Sequence, residues 1–143
     1  AVFRVPCPAC SSTENDVRVA VCGGRDFNQH VYVYDALDDL VEREGPIAEL
    51  ITGGATGADY WAESWAWMNK VPCRIFAADW KRHGRKAGPL RNQQILDAAA
   101  PDLLVAFPGG RGTADMTSRA KRAGVRVVEA VTLIPPTVPQ GGW

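Results

Sequence analysis

Short apolar runs alternate with longer segments of helical spacing through most of the chain. The β-branched run VRVAVC (17–22) has the length and composition of a buried strand, and two glycines close it. Four further runs of strand length follow it, namely ELIT (49–52), CRIFAA (73–78), LLVAF (103–107) and VRVVEAV (125–131). The pattern therefore predicts five buried strands.

Helices are predicted in the segments between these strands. Segment 30–44 carries an apolar stripe at helical spacing and stops at Gly-Pro, and segment 58–69 predicts a second helix. A third helix has Pro89 in its first turn and ends near Ala100, and a fourth covers 113–123. The stripe of the first helix consists of Val33, Leu37, Leu40 and Val41.

Alternating strands and helices with short connections are typical of a parallel sheet, because parallel strands need helical crossovers. We therefore predict an α/β protein: a single Rossmann-like, doubly wound parallel sheet of about five strands with helices on both faces. The predicted domain covers 17–131. Residues 1–16 are interpreted as an N-terminal arm and residues 132–143 as a Pro- and Gly-rich C-terminal tail.

The composition excludes several classes of protein. Hydrophobic residues make up 46% and charged residues 22%, as in ordinary globular proteins. Sixteen basic and sixteen acidic residues cancel, so no global charge attracts nucleic acid or anionic lipid. No apolar run reaches the roughly 18 residues that span a bilayer. The first residues lack the pattern of a secretory signal. We expect a cytoplasmic protein with no membrane contact.

The four cysteines, Cys7, Cys10, Cys22 and Cys73, are too few and too unevenly spaced for a disulfide framework. Cys7 and Cys10 have the spacing of half a zinc site, but no second pair follows them. Cys22 and Cys73 lie in strand-like runs, where a thiol packs as a small hydrophobic group. We therefore expect neither a metal nor a cofactor, with zinc at Cys7 and Cys10 as the less favoured interpretation.

Glycine-rich loops follow three of the predicted strands: CGGRDF, TGGATGAD and FPGGRGT. Ligands of doubly wound proteins bind at the carboxyl ends of the strands, and loop amides that lead into a helix can hold an anion. GGATGAD lacks the lysine and the length of a P-loop, and no loop of the first βα unit completes G-x-G-x-x-G. Backbone amides with Arg111 and Thr113 are therefore predicted to hold a phosphate.

The motifs CGGRDF, ITGGATGAD, HGRKAGPLRN and FPGGRGTADM, in this order, resemble the SLOG superfamily, which includes the LOG phosphoribohydrolases and the DprA proteins. The resemblance covers about 17–131 and is strongest to the YspA-like branch. It implies a Rossmann-like fold and a nucleotide-type ligand. The residues expected to bind it are Gly23, Gly24, Arg25, Asp26, Gly53, Gly54, Thr56, Gly57, Asp59, Arg85, Arg91, Asn92, Pro108, Gly109, Gly110, Arg111, Gly112 and Thr113.

In LOG enzymes the motif PGGxGTxxE holds a nucleoside monophosphate, and its glutamate works with an arginine on the N-glycosidic bond. Met116 stands at the position of that glutamate, and Asp115 precedes it by one residue, which turns its side chain about 100° on a helix. The family's arginine matches Arg85 by its neighbouring residues and Arg91 by its distance from the PGG loop. Arg91 is preferred because it opens the third helix near the same edge of the sheet. The candidate catalytic residues are therefore Arg91 and Asp115.

Three functions are compatible with the sequence. The first is binding or sensing of a mononucleotide, NAD or ADP-ribose, and the second is LOG-like hydrolysis of a nucleoside monophosphate with a non-standard carboxylate. The third, which the net charge disfavours, is DprA-like binding of single-stranded nucleic acid through the basic stretch that starts at Trp80. If the chemistry has been rebuilt, the available acids are Asp26, Asp59 and Asp79, although a helix cap or an acceptor for a ribose hydroxyl is the commoner role.

The second helix carries aromatic residues on two of its faces. Trp61 and Trp65 align with Met68 and are predicted to face the core. Tyr60 and Trp67 lie on another stripe and suggest a second buried contact. LOG proteins pair through helices that flank the sheet, so a homodimer is the expectation.

Overall fold

The computed structural model describes residues 17–130, so the predicted arm and tail lie outside the described residues. Five parallel strands form one sheet in the order β3-β2-β1-β4-β5. This arrangement confirms the predicted fold class. The strands are β1 (Val17–Cys22), β2 (Ile47–Thr52), β3 (Cys73–Ile75), β4 (Leu103–Ala106) and β5 (Arg126–Glu129).

Five α-helices connect the strands, and two of them are extended by other helical turns. The helices are α1 (His30–Glu44), α2 (Ala58–Met68), α3 (Trp80–His83), α4 (Ala87–Gln94) and α5 (Arg111–Arg122). A 3-10 turn, Gly84–Lys86, joins α3 to α4, and a π-helical turn, Ile95–Ala99, extends α4. Ala100 then adopts the left-handed conformation with φ of 47°, which ends the segment where the sequence predicted its end.

The sheet has a hydrophobic core on each face because successive side chains of a strand point to opposite sides. Val19 and Val21 of β1 pack with α1 and α2. Ala20, between them, faces the opposite core, which contains Met116 of α5 and Leu96 of the π-helical turn. Helices on both faces bury the sheet and position the carboxyl ends of β1, β2 and β4 side by side.

The structure corrects several predicted boundaries, of which three bear on the site. Segment 80–86, which lies outside the predicted helices, is mostly helical, and Asp79 caps α3 by accepting a hydrogen bond from the Arg82 amide. Helix α5 begins two residues early, at Arg111, because Gly110 is its N-cap and Gly112 lies within its first turn. Strand β3 ends early, at Ile75, because its partner β2 ends opposite it at Thr52.

The core face of α2 is shorter than predicted. Trp65 is buried and donates through Nε1 to Asp38 Oδ1 at 2.8 Å, and Trp61 packs half-buried beside the core. Met68, predicted to face the core, is 50% exposed because it is the last residue of the helix, where the chain turns towards β3. In the single chain Tyr60 and Trp67 are 55% and 82% exposed, so the predicted pairing of two chains would have to cover them.

Candidate functional site

A cleft of about 890 Å³ lies at the carboxyl ends of β1, β2 and β4, beneath α4 and the first turn of α5. Strand order reverses between β1 and β4, and this is the point at which doubly wound proteins bind their ligands. Most of the predicted site residues line this cleft. They are Gly23, Gly24, Arg25, Gly53, Asp59, Arg85, Arg91, Asn92, Gly110, Arg111, Gly112, Thr113 and Asp115.

Six predicted residues do not line the cleft: Asp26, Gly54, Thr56, Gly57, Pro108 and Gly109. Several of them hold the loops together instead. The Pro108 carbonyl accepts the Gly24 amide at 2.8 Å, and the Thr56 hydroxyl donates to the Arg25 carbonyl at 3.1 Å. The structure thus brings the three glycine-rich loops into direct contact.

Two glycines of these loops are required for packing between the loops. A Cβ at Gly109 would collide with the Thr113 hydroxyl and would lie 2.6 Å from the Gly24 nitrogen. Gly57 has φ of 78°, and a Cβ there would collide with the Gly24 carbonyl oxygen. These positions need glycine whether or not a ligand binds.

Gly110 and Gly112 are different because no packing requires them. A Cβ at either position would meet no atom within 4 Å. Among the described residues, the amides of Gly110, Arg111, Gly112 and Thr113 donate to no partner, and the next amide, of Ala114, donates to the Gly110 carbonyl at 3.0 Å. The first turn of α5 therefore presents four free N–H groups at the positive end of its dipole beside an open space, which suits an anion.

Asp59 and Arg91 are both fixed to Gly53. Asp59 Oδ2 accepts the amides of Gly53 at 3.0 Å and Ala55 at 3.2 Å. Arg91 donates through Nη1 to the Gly53 carbonyl at 2.6 Å and through Nε to Asn92 Oδ1 at 3.0 Å. Burial raises the pKa of Asp59 to about 6, although the two amides and the charge of Arg91 act in the opposite direction. A buried carboxyl group with a raised pKa therefore lies in the cleft wall.

Asp115 has the opposite electrostatic character. Its Oδ2 accepts Asn92 Nδ2 at 3.0 Å and Arg119 Nε at 2.8 Å. Partial burial acts to raise its pKa, but these hydrogen bonds and the nearby arginine charges outweigh burial and hold the pKa below its ordinary value. The neighbouring Met116 is buried in the core between the sheet and α5 and also forms part of the cleft floor.

The mouth of the cleft is basic and contains one exposed aromatic ring. The Arg25 guanidinium lies 4.9 Å from the centroid of the Trp80 ring, and Arg85 and Arg111 also line the cleft. The charged lining residues are four arginines against two aspartates, which leaves two excess positive charges. Trp80 was not among the predicted ligand-binding residues, although its place in the basic stretch was a signal that could have identified it.

Cys22 also lines the cleft, although it was not among the predicted site residues. Burial, and then the charge of Asp59, raise the pKa of its thiol to about 12, so Cys22 is a packed, protonated side chain.

Within residues 17–130, no group of three His, Cys, Asp or Glu side chains is arranged to hold a metal ion. Cys7 and Cys10 lie outside the described residues. No helix in the described part of the chain has the length and apolar character needed to cross a bilayer.

Fold and cleft together define a doubly wound α/β protein with a basic cleft at its topological switch point. Residues 17–83 match the model of the YspA, cpYpsA-related SLOG family. Gene 61 protein of Mycobacterium phage D29 is 40% identical over 119 residues, covering 78% of this chain and 94% of the phage protein. The chain belongs to this SLOG family, as its motifs suggested. Because the family match ends before β4, the interpretation of the α5 turn rests on its geometry.

Two solved structures are similar in fold alone. The Moco carrier protein from Chlamydomonas reinhardtii is 18% identical, with a TM-score of 0.49 over 79% of this chain and 75% of that one. Glycinamide ribonucleotide transformylase 1 from Symbiobacterium toebii is 17% identical, with a TM-score of 0.50 over 80% of this chain and 51% of that one.

Proposed function

We propose that the cleft binds a nucleotide-type ligand whose phosphate lies at the first turn of α5. The observation that carries this proposal is the row of four amides, from Gly110 to Thr113, which have no partner among the described residues. They border a space that no side chain fills. An anion there would accept several N–H groups and gain from the helix dipole. Arg111 adds a guanidinium at the same end.

The charge of the cleft supports an anionic ligand. Arg25, Arg85, Arg91 and Arg111 outnumber the two aspartates of the lining. Membership of the SLOG family supports a nucleotide-related ligand in general terms. A mononucleotide, NAD and ADP-ribose each carry phosphate and are the candidates to be compared. The protein would bind or sense such a ligand without cleaving it.

Hydrolysis of the N-glycosidic bond of a nucleoside monophosphate is the alternative. It is favoured by a chain of hydrogen bonds in which Asn92 links Arg91 Nε to Asp115 Oδ2 across the cleft. The lowered pKa of Asp115 keeps it a carboxylate. Such a group can stabilise a positively charged sugar in the transition state but is poorly suited to protonate a departing base. For this reason binding without turnover is the leading proposal.

Binding of single-stranded nucleic acid is the second alternative. Trp80 and the basic residues of 81–86 are exposed beside the cleft, and this combination suits a flexible polyanion with bases that stack. A strand held in this way would lose affinity steeply as salt rises, whereas a mononucleotide, which contributes fewer phosphates, would lose it less steeply.

Calorimetric titration of the full chain with AMP, NAD, ADP-ribose and a single-stranded oligonucleotide tests these functions. Chromatography of the bound ligand then shows whether free base has been released. We expect at least one phosphate compound to bind without cleavage. Release of base would favour the hydrolase, and tight binding of the oligonucleotide alone would favour the second alternative.

Two variants test the location of the phosphate. Gly112→Ala adds a methyl group that meets no protein atom but extends into the open space, so it should preserve the fold and weaken binding about tenfold or more. Arg111→Ala should also weaken binding, whereas Lys121→Ala, which removes an exposed charge near the other end of α5, should not. Unchanged affinity in Gly112→Ala would place the phosphate elsewhere.

A further inference from the structure

Two polar atoms in the cleft wall lack partners although their side chains are rigidly held. Asp59 is 5% exposed and uses only Oδ2 for its two hydrogen bonds, so Oδ1 accepts from no described residue. Arg91 uses Nε and Nη1, so Nη2 donates to no described residue. Neither atom is sealed from solvent, and both side chains line the cleft. One acceptor and one donor therefore open onto the same space.

Gly53 fixes both side chains. Its N–H is bound by Asp59 and its carbonyl by Arg91. A Cβ at Gly53 would collide with the Arg91 guanidinium, so the arginine lies directly against this residue. Asp59 is also held by the Ala55 amide, and Arg91 by Asn92. Because the two side chains are already ordered, a ligand that contacts them loses little further side-chain entropy.

The charge of Asp59 restricts what can bind beside it. A carboxylate repels phosphate, so the phosphate belongs at the α5 turn, where the free groups are N–H donors. The free oxygen of Asp59 needs a hydrogen-bond donor, and the free nitrogen of Arg91 needs an acceptor. A hydroxyl group supplies both functions, and a pair of neighbouring hydroxyls can satisfy both atoms at once.

We propose that Asp59 and Arg91 form a hydroxyl-binding subsite, so that the cleft selects phosphorylated sugars with free hydroxyl groups over other organic phosphates. This proposal rests on the proposed phosphate site and adds the chemical class of the group attached to the phosphate. The phosphate is bound by the α5 turn, and the sugar hydroxyls are bound by the wall that Gly53 fixes. Ribonucleotides meet both requirements.

Calorimetric titration of the full chain with three probes tests the subsite. The probes are inorganic phosphate, ribose 5-phosphate and cyclopentylmethyl phosphate, which has a similar ring and the same charged group but no hydroxyls. Ribose 5-phosphate should bind about tenfold to a hundredfold more tightly than the hydroxyl-free compound, as expected for a hydrogen bond to a charged group. In Asp59→Asn this ratio should shrink, whereas Asp97→Asn, which removes an exposed carboxylate of the π-helical turn, should keep it.

The possible outcomes separate this inference from the function on which it rests. If phosphate binds and the wild-type chain does not distinguish the two organic phosphates, the hydroxyl subsite is refuted and the phosphate site stands. The same holds if Asp59→Asn keeps the full ratio. If none of the three probes binds, both proposals fail. The comparison of ligands on the wild-type chain decides the matter even if Asp59→Asn does not fold.

Discussion

Replacement of Asp59 by Asn should remove a pH-dependent cost from the stability of the fold. Burial disfavours the charged carboxylate and raises the pKa of Asp59 from 3.8 to about 6. At 1.36 kcal/mol for each unit, the cost of keeping this group ionised in the folded state is about 3 kcal/mol. The side chain is 5% exposed, so solvent screens little of this energy.

The direction in which stability changes with pH follows from the protons bound by the folded and unfolded chains. Between pH 4 and 6 the folded chain holds the Asp59 proton more tightly than the unfolded chain, so the contribution of Asp59 is most favourable below its unfolded pKa. That contribution is lost as pH rises through about 6. An asparagine at this position can still accept the Gly53 and Ala55 amides but carries no charge. The variant should therefore gain stability relative to wild type as pH rises from 4 to 7.

Urea denaturation of both proteins at pH values from 4 to 8 measures this difference. We expect the difference in free energy of unfolding to change by about 3 kcal/mol in favour of Asp59→Asn across the range. Asp115→Asn is a control: the pKa of Asp115 is lowered from 3.8, so its contribution is lost only as pH falls below this range, and the difference from wild type should stay nearly constant between pH 4 and 8. A difference between wild type and Asp59→Asn that stays constant across the range would refute the reasoning.

Two further predictions concern α5 and α2. Met116→Glu, which restores the acid of the LOG motif, should lower the free energy of unfolding by an amount on the order of 3 kcal/mol in urea denaturation, because it buries a charge without a partner in an apolar core. Stability equal to wild type would show that this side chain can reach the cleft. If two chains pair through α2, sedimentation velocity should give a dimer for wild type and for Leu90→Ser, another exposed apolar side chain, and a monomer for Trp67→Ser. A monomeric wild-type chain would contradict the predicted homodimer.

The strands were predictable from the sequence because burial on both faces of a parallel sheet demands unbroken apolar runs. Strand β1 has the predicted bounds, and β4 differs by one residue. Helix α3 was missed because it is a single turn in which Trp80 is followed by three basic residues, which gives no apolar period; the Asp79 cap was its local signal. The start of α5 was misplaced because Gly110 and Gly112 have low helix propensity, and tertiary packing overrides that preference.

The sequence does not predict which glycines of the site are needed for packing and which leave room for a ligand. A glycine that admits a neighbouring loop and one that admits a ligand lack the same Cβ, so a motif cannot distinguish them. Gly109 is of the first kind, because a Cβ there would collide with Thr113. Gly110 and Gly112 face open space. Only the contact between the loops after β1 and β4 separates these roles, and that contact depends on the pairing of strands distant in sequence.

The roles of the two aspartates in the cleft, like those of the glycines, cannot be predicted from the motif. The PGGxGTxxE motif predicted Asp115 as a catalytic residue because it lies one position before the family glutamate. In the structure, Asn92 and Arg119 already donate hydrogen bonds to its Oδ2. Asp59 could be interpreted from sequence as a helix cap, and it does accept two turn amides. Its second oxygen is free only because β2 and α2 place it inside the cleft beside Arg91. Burial of the ionised Asp59 costs stability at neutral pH, and we attribute its place in the cleft to the proposed hydroxyl-bearing ligand of its free oxygen.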